Sequence, residues 1–116
     1  MNKIIYVASP YNHSDEDTRW LNYRMVSRYS ARLIARGQVA ISPIAYGHPL
    51  LEFAEMPYDW PFWSNFCLTF LDRCDEMHVL MMDGWDRSRG VEEEIQYARE
   101  NNIPIKFIDK DLDYWK

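Results

Sequence analysis

The feature that most constrains this fold is a set of four short, predominantly apolar runs set far apart along the chain. They occupy residues 3–8, 39–42, 76–82 and 104–108 and include many Ile and Val residues. Such runs are typical of strands buried on both faces of a parallel sheet. Parallel neighbours need long crossover connections, usually helices. The pattern predicts the order β-α-β-α-β-α-β and an α/β domain of flavodoxin- or Rossmann-like type.

The length of 116 residues suggests that residues 1–116 form one domain, with three layers and a parallel sheet of four to five strands. Helical patterns are predicted over residues 15–36, which Gly37 ends, over residues 61–73, which a proline opens, and over residues 91–101. The expected inward side chains are Tyr23, Val26, Ser30, Leu33 and Ile34 in the first helix and Phe62, Phe66, Thr69 and Phe70 in the second.

Residues 43–60 have no clean period and contain three prolines and a glycine. They are predicted to form a long connection, and such loops are usually lids, binding loops or interface segments. The aromatic fraction of 16% is high. It indicates either a small core filled with large residues, or a stacking site or oligomer interface. One hypothesis is therefore an interaction module whose interface anchors are Trp60, Trp63, Trp85 and Trp115.

The formal net charge of −5 argues against a protein that binds duplex nucleic acid, although a single local site could still hold a small anion. Cys67 and Cys74 fit neither a disulfide framework nor a zinc site, so they are expected to be reduced thiols of a cytoplasmic protein. The apolar run at residues 3–8 is too short for a signal peptide or a membrane span.

Ligands of open parallel sheets sit outside the carboxyl ends of the strands. The loops expected there begin at Ser9, Pro43 and Asp83. The glycine patterns of dinucleotide-binding and P-loop proteins are absent from the sequence, and its histidines have no metal-like spacing. Of these histidines, His78 lies within a predicted strand and is expected to be structural, while the role of His48 in the long loop stays open.

Three consecutive glutamates, residues 92–94, open the last predicted helix. Stabilisation of the helix dipole would explain two of them. Val91, Ile95 and Ala98 define the buried stripe of this helix. At about 100° per residue, Glu94 falls roughly 60° from that stripe, so it is the carboxylate that points toward the sheet.

Two serine segments have both an ordinary and a functional interpretation. Ser88, ahead of Arg89 and Gly90, is either a simple helix cap or part of an anion cradle. Ser9 and Pro10 form a turn signal, but their position directly after the first strand also fits a ligand loop.

Several of these residues together resemble the nucleoside deoxyribosyltransferase-like superfamily. The matching segments are Tyr6-Val-Ala-Ser9-Pro10, Cys74-Asp75, Asp83-Gly-Trp85 and Ser88-x-Gly90-Val-x-x-Glu94-Ile-x-x-Ala98. The chain looks most similar to the short phage and bacterial branch, whose relatives include deoxynucleoside 5′-monophosphate N-glycosidases. If it is phage-encoded, its expected location is the cytoplasm of the bacterial host.

The resemblance implies cleavage of an N-glycosidic bond through a glycosyl-enzyme intermediate, with no metal or organic cofactor. It makes Glu94 the nucleophile, and it places Tyr6 and Ser9 beside the sugar and phosphate and Ser88 on the phosphate. The other residues expected to bind substrate are Pro10, His48, Asp83, Trp85 and Gly90. The resemblance further implies a homo-oligomer, most simply a dimer.

One position departs from the family pattern. Related sequences commonly carry an aspartate eight residues before the Cys-Asp pair, where this chain has Cys67. A thiol cannot hold a sugar hydroxyl or orient Glu94 as an aspartate would. The alternative hypothesis is therefore a protein that binds a nucleotide or nucleotide-like signal without cleaving it, as a sensor or a sequestering protein.

Overall fold

The computed structural model describes residues 2–109 of the chain. Its strands are β1 (Ile4–Ala8), β2 (Val39–Ile41), β3 (Glu76–Met81) and β4 (Ile105–Asp109). Its helices are α1 (Glu16–Ala35), α2 (Pro43–Leu50), α3 (Trp60–Asp72) and α4 (Arg89–Glu100), with a short 3₁₀ turn at Trp85–Arg87.

The four strands form a single parallel sheet in the order β2-β1-β3-β4. Tyr6 pairs with Ile41 on one side and with Met77 on the other, so β1 lies inside the sheet. The chain moves outward from β1 in both directions, which is the strand order of flavodoxin-like folds. The predicted α/β fold with a four-stranded, all-parallel sheet is thus confirmed.

Each face of the sheet carries its own apolar core, because successive strand residues point to opposite faces. On one face Ile5, Val7 and Leu80 pack with Val26 and Tyr29 of α1. On the other face the strands pack against α3 and α4 through a second cluster. The buried members of that cluster are Tyr6, Ala8, Cys67, Leu71, Cys74, Met77, Val79, Val91 and Ala98. The domain therefore has the predicted three layers.

The predicted long connection over residues 43–60 is wrong in its first half, which forms α2. The hydroxyl of Ser42 accepts a hydrogen bond from the backbone N–H of Ala45, and Pro43 occupies the first turn. Both features favour a helix start. The internal Pro49 and the central Gly47 obscured this helix in the sequence, because both residues are unfavourable within helices.

The predicted inward faces of two helices are partly wrong. In α1, Ile34 is 55% exposed, whereas Asn22 and Tyr29 are buried. In α3 the buried side chains are Cys67 and Leu71. Phe62, Thr69 and Phe70, all expected inside, are exposed, and Phe66 is half-buried. Since α3 is apolar around most of its circumference, hydrophobicity alone could not indicate which stripe faces the sheet.

His78 is structural, as predicted. Its ring lies between the hydroxyl of Tyr29, 2.6 Å from Nδ1, and the carboxylate of Glu76, 2.5 Å from Nε2. Lys3 donates to the same carboxylate at 2.8 Å. Burial opposes ionisation of Glu76, but the hydrogen bonds from Lys3 and His78 outweigh it and lower the pKa of Glu76 to about 2. Within residues 2–109, no helix is both long and apolar enough to cross a membrane.

Candidate functional site

A cavity of about 80 Å³ opens at the carboxyl ends of the strands. β1 and its following loop contribute one wall, and α2, α3 and α4 contribute the others. The residues that line it are Val7, Ala8, Ser9, Tyr11, Asn12, Pro43, Ile44, Gly47, His48, Leu51, Tyr58, Asp59, Trp60, Trp63, Cys67, Ser88, Gly90 and Glu94. One water takes up roughly 10–15 Å³ of such space, so the cavity suits a group the size of a pentose ring.

Glu94 lies at the inner end of this cavity and is only 5% exposed. Ser88 caps α4 by accepting a hydrogen bond from the N–H of Val91. With the helix starting at this residue, Glu94 lies on the side of α4 that faces the sheet. The hydroxyl of Tyr6, a fully buried residue of β1, donates a hydrogen bond to Oε2 of Glu94. The carboxyl group is therefore held between helix and sheet with its free edge toward the cavity.

Burial raises the pKa of Glu94 to about 8, although the hydrogen bond from Tyr6 acts in the opposite direction. Burial and the neighbouring Glu94 carboxylate also raise the pKa of Tyr6 well above its ordinary value, so this hydroxyl keeps its proton. A carboxylate that desolvation has made more basic is well suited to attack an electrophilic carbon or to stabilise a cationic centre.

Cys67 of α3 reaches the same end of the cavity. Its side chain is buried, and burial together with the carboxylate of Glu94 raises the pKa of the thiol to about 12. The thiol therefore stays neutral at physiological pH. Cys67, the position that departs from the family pattern, thus lies next to Glu94 and Tyr6.

Two glycines allow tryptophans to form the cavity wall. A Cβ atom on Gly90 would lie 2.9 Å from the ring of Trp60, and one on Gly47 would lie 3.0 Å from the ring of Trp63. Only glycine permits so close an approach. Gly90, predicted to bind substrate, lies in the cavity wall, where the structure shows it accommodating Trp60.

Two serines supply polar groups to the cavity. Ser9 is buried at the end of β1, and within the described residues its hydroxyl has no hydrogen-bond partner. Ser88 is the N-cap residue of α4, and the unpaired backbone N–H groups at a helix start attract anions. A buried hydroxyl without a partner is costly, which makes Ser9 a candidate for a contact with a bound group.

His48 lines the cavity from α2, and Tyr11 holds it in place. The hydroxyl of Tyr11 lies 2.6 Å from Nδ1 of His48. Burial, and to a lesser degree the charge of Arg19, lower the pKa of His48, which favours the neutral ring. The partnership with Tyr11 was missed in the sequence, although the position of Tyr11 two residues after Ser9 was an available signal.

Three predicted substrate-binding residues do not line the cavity. Pro10 is buried behind it. Asp83 is exposed after β3, and Trp85 packs its ring against Phe107 at 5.8 Å. The 3₁₀ turn at residues 85–87 follows Gly84, whose φ of 87° carries the chain away from the site.

Of the tryptophans proposed as interface anchors, the three within the described residues do not form one surface. Trp60 and Trp63 are partly buried in the cavity wall, and Trp85 packs against β4. Trp115 falls outside the described residues. Among the side chains of residues 2–109, no group of three His, Cys, Asp or Glu is arranged to hold a metal ion.

These features define an α/β domain with a buried carboxylic acid in a cavity at the carboxyl ends of its central strands. Residues 3–109 match DUF1937, a domain family of unknown function, and the chain belongs to this family. No curated protein matches the sequence.

Among solved structures, the fold is similar to the 2-deoxyribosyltransferase of the psychrotolerant bacterium Bacillus psychrosaccharolyticus, with a TM-score of 0.65 and 21% sequence identity. The match covers 92% of this chain and 72% of that enzyme. At this level of identity the likeness concerns the fold. It confirms the deoxyribosyltransferase-like fold that the sequence motifs indicated.

Proposed function

We propose that this chain cleaves the N-glycosidic bond of a (deoxy)nucleoside 5′-monophosphate, as an N-glycosidase or a deoxyribosyltransferase, with Glu94 as the nucleophile. The observation that carries the proposal is the buried Glu94 carboxyl group, which Tyr6 orients at the end of a cavity of pentose size. The fold shared with a 2-deoxyribosyltransferase supports this class of reaction.

In the first step a carboxylate oxygen of Glu94 forms a bond to the anomeric carbon as the bond to the base breaks. The base leaves with the bonding electron pair and takes up a proton. Water, or a second base in a transferase, then attacks the same carbon and releases the carboxylate. A carboxylate stabilises the oxocarbenium-like transition state of both steps and can also bond covalently.

The raised pKa of Glu94 has a consequence for this chemistry. With a pKa of about 8, the carboxyl group of the empty site is largely protonated at pH 7. Attack requires the ionised form, so the rate should rise with pH until Glu94 is deprotonated. Positive charge developing on the sugar favours the ionised form in the transition state.

Ser9 and Ser88 are proposed to bind the polar end of the nucleotide. The unpartnered hydroxyl of Ser9 and the start of α4 both face the cavity. A 5′-phosphate at this place would accept hydrogen bonds from the serines and from backbone N–H groups. The serine at position 88 can donate a hydrogen bond to a phosphate, whereas an aspartate there would repel it. We therefore propose that a nucleoside monophosphate binds in preference to a free nucleoside.

A homodimer is the proposed assembly. Tyr46, Phe62, Phe66 and Phe70 form a partly exposed aromatic patch on α2 and α3, in which the rings of Tyr46 and Phe66 stack at 6.2 Å. Patches of this kind usually mark contact surfaces. Light scattering at micromolar concentration should give the mass of a dimer, and Phe62→Glu should lower it; a monomeric wild-type protein would contradict the proposal.

A second candidate function is nucleotide binding without turnover, as in a sensor or a sequestering protein. Cys67 favours it, since a neutral thiol stands beside Glu94 where relatives commonly have a carboxylate. Both candidates use the same cavity, and they differ only in whether the base is released.

The deciding experiment is incubation with a panel of nucleosides and nucleotides, followed by chromatography for released base. Glu94→Gln should abolish release while binding is retained. Glu93→Gln is the matched control, because Glu93 pairs with Arg89 on the outer side of α4. Binding without release in the wild type would favour the second candidate, and no binding to any nucleotide would contradict both.

A further inference from the structure

A second, larger cavity of about 530 Å³ adjoins the one at Glu94. The two cavities share His48, Leu51 and Tyr58, which stand between them. The remaining lining residues of this outer chamber are Glu16, Arg19, Trp20, Tyr23, Pro49 and Glu52. The outer chamber therefore borders the Glu94 cavity, on the side of α1 and the segment that follows α2.

Aromatic rings dominate the walls of the outer chamber. His48 stacks on Tyr23 with ring centres 4.2 Å apart and an interplanar angle of 23°. Trp20 meets His48 edge to face at 4.7 Å and is still 47% exposed. An indole held by its neighbours, lining the chamber and about half exposed offers a surface on which a planar group can stack.

Arg19 adds the one cation among the residues that line the outer chamber. Its guanidinium lies 4.1 Å from the ring centre of Tyr58, one of the three shared residues. It also donates a hydrogen bond to the carbonyl oxygen of His13, which fixes its direction. Arg19 therefore stands near the junction of the two chambers, where its guanidinium can pair with a phosphate. Glu16 and Glu52 line the same chamber and can accept hydrogen bonds from the amino groups of a base.

The outer chamber is much larger than the inner one, and this difference limits which ligand can fill both. The inner one has room for a pentose, whereas 530 Å³ lies within the range of pockets for entire small molecules. One nucleobase attached to the sugar would leave much of the outer chamber empty. A second planar group, joined through an anionic link, would fill it and meet both Trp20 and Arg19.

We propose that the outer chamber binds a second nucleobase, so that the preferred ligand is a phosphate-linked dinucleotide with one sugar at Glu94 and its second base against Trp20. This inference rests on the proposed function, because it assumes that the sugar lies at Glu94. Because the 5′-phosphate of the nucleotide at Glu94 is assigned to Ser9 and Ser88, the link that lies near Arg19 is the 3′–5′ phosphodiester, and a 5′–5′ pyrophosphate serves as the comparison.

The test compares ligands by calorimetry in Glu94→Gln, which removes turnover from the measurement. The probes are the four deoxynucleoside monophosphates, the corresponding 5′-phosphorylated homodinucleotides, and a 5′–5′ pyrophosphate-linked dinucleotide. We expect at least one dinucleotide to bind about tenfold or more tightly than its mononucleotide, the gain of one additional stacked base. Which probe gains identifies the link.

Two further substitutions, each combined with Glu94→Gln, test which residues cause the tighter binding of dinucleotides. Trp20→Ala and Arg19→Gln should each remove most of the dinucleotide preference and change mononucleotide affinity less than twofold. Phe53→Ala is the control, since Phe53 is 78% exposed and lines neither chamber. Circular dichroism checks that each variant is folded.

Equal affinity for mononucleotides and dinucleotides would overturn the inference, and so would a preference that both Trp20→Ala and Arg19→Gln retain. Base release from mononucleotides by the wild type would still support the proposed function in either case. The two claims therefore fail on different measurements.

Discussion

The hydroxyl of Tyr6 donates a hydrogen bond to the carboxyl group of Glu94, which lies 88 residues further along the chain. The contact joins the central strand β1 to the first turns of α4 at the carboxyl ends of the strands. Both side chains are buried, and burial raises the pKa of Glu94 to about 8. The predictions below concern this pair and the groups around it.

Glu94 should make the protein less stable as the pH rises. Its pKa is about 8 in the folded state and 4.5 as an ordinary glutamate, so between these values only the unfolded chain is ionised. The stability contribution of Glu94 is therefore fully present below pH 4.5 and lost as the pH approaches 8, by at most about 5 kcal/mol. Glu94→Gln should gain stability relative to wild type across this window, measured by urea unfolding at several pH values.

The pKa values of Tyr6 and Cys67 also depend on Glu94, but both groups titrate above this window, and Glu76 titrates near pH 2, below it. Glu93→Gln, an exposed-side control, should show no such gain. The stability of the wild type and that of Glu94→Gln could instead change in parallel between pH 5 and pH 8. That result would show that Glu94 is ionised in the folded protein and would contradict the prediction.

Tyr6→Phe should shift the pH dependence of base release toward higher pH. The lost hydrogen bond stabilises the ionised carboxylate, and bonds to charged groups contribute about 1.5–3 kcal/mol, or roughly one to two pH units. The control is Tyr29→Phe, because Tyr29 is equally buried but bonds with His78 away from the cavity. If the pH profile of Tyr6→Phe matched that of the wild type, Tyr6 would not control the ionisation of Glu94.

Ser88→Asp should weaken binding of a nucleoside monophosphate at least about tenfold more than binding of the matching nucleoside. Aspartate caps helices as well as serine does, so α4 should be retained, but its charge repels a phosphate at the helix start. Ser88→Thr keeps the hydroxyl and serves as the control. Calorimetry with both ligands checks the ratio, and equal affinity of the wild type for the two would contradict a phosphate site.

Cys67→Asp should raise turnover from a slow wild-type rate on ordinary deoxynucleotides. The structure places Cys67 against both Glu94 and Tyr6, so a carboxylate there can contact the sugar or orient Glu94. Burial of the new charge should also lower stability by about 1–3 kcal/mol. Base release and melting temperature are measured together.

Cys67→Asn provides the uncharged control for that substitution and should not accelerate the reaction. A large fall in melting temperature without any gain in rate for Cys67→Asp would show that the position is simply part of the core.

Local periodicity was sufficient to predict the orientation of Glu94. Its direction follows from Val91 and Ala98 on the same helix, and a capping serine precedes it. The sheet was predictable for a similar reason, since each strand lies in a short, predominantly apolar run. In both cases the signal lies within a few residues of the element concerned.

The walls of the cavity could not be predicted in the same way. Gly90 contacts Trp60 and Gly47 contacts Trp63 because α4, α2 and α3 converge, and no local pattern records that convergence. In α3 the apolar residues surround the helix, so Cys67 and Leu71 were not distinguishable from Phe62 and Phe70 as the buried face.

The most direct test of the central claim is detection of a covalent intermediate on Glu94. Wild-type protein is mixed with the nucleotide that releases base fastest, quenched in acid within the first turnovers, and examined by intact-mass spectrometry and peptide mapping. We predict a mass increase equal to the sugar phosphate, located on the peptide that carries Glu94 and absent from Glu94→Gln. Base release with no adduct on that peptide, and undiminished in Glu94→Gln, would contradict the account.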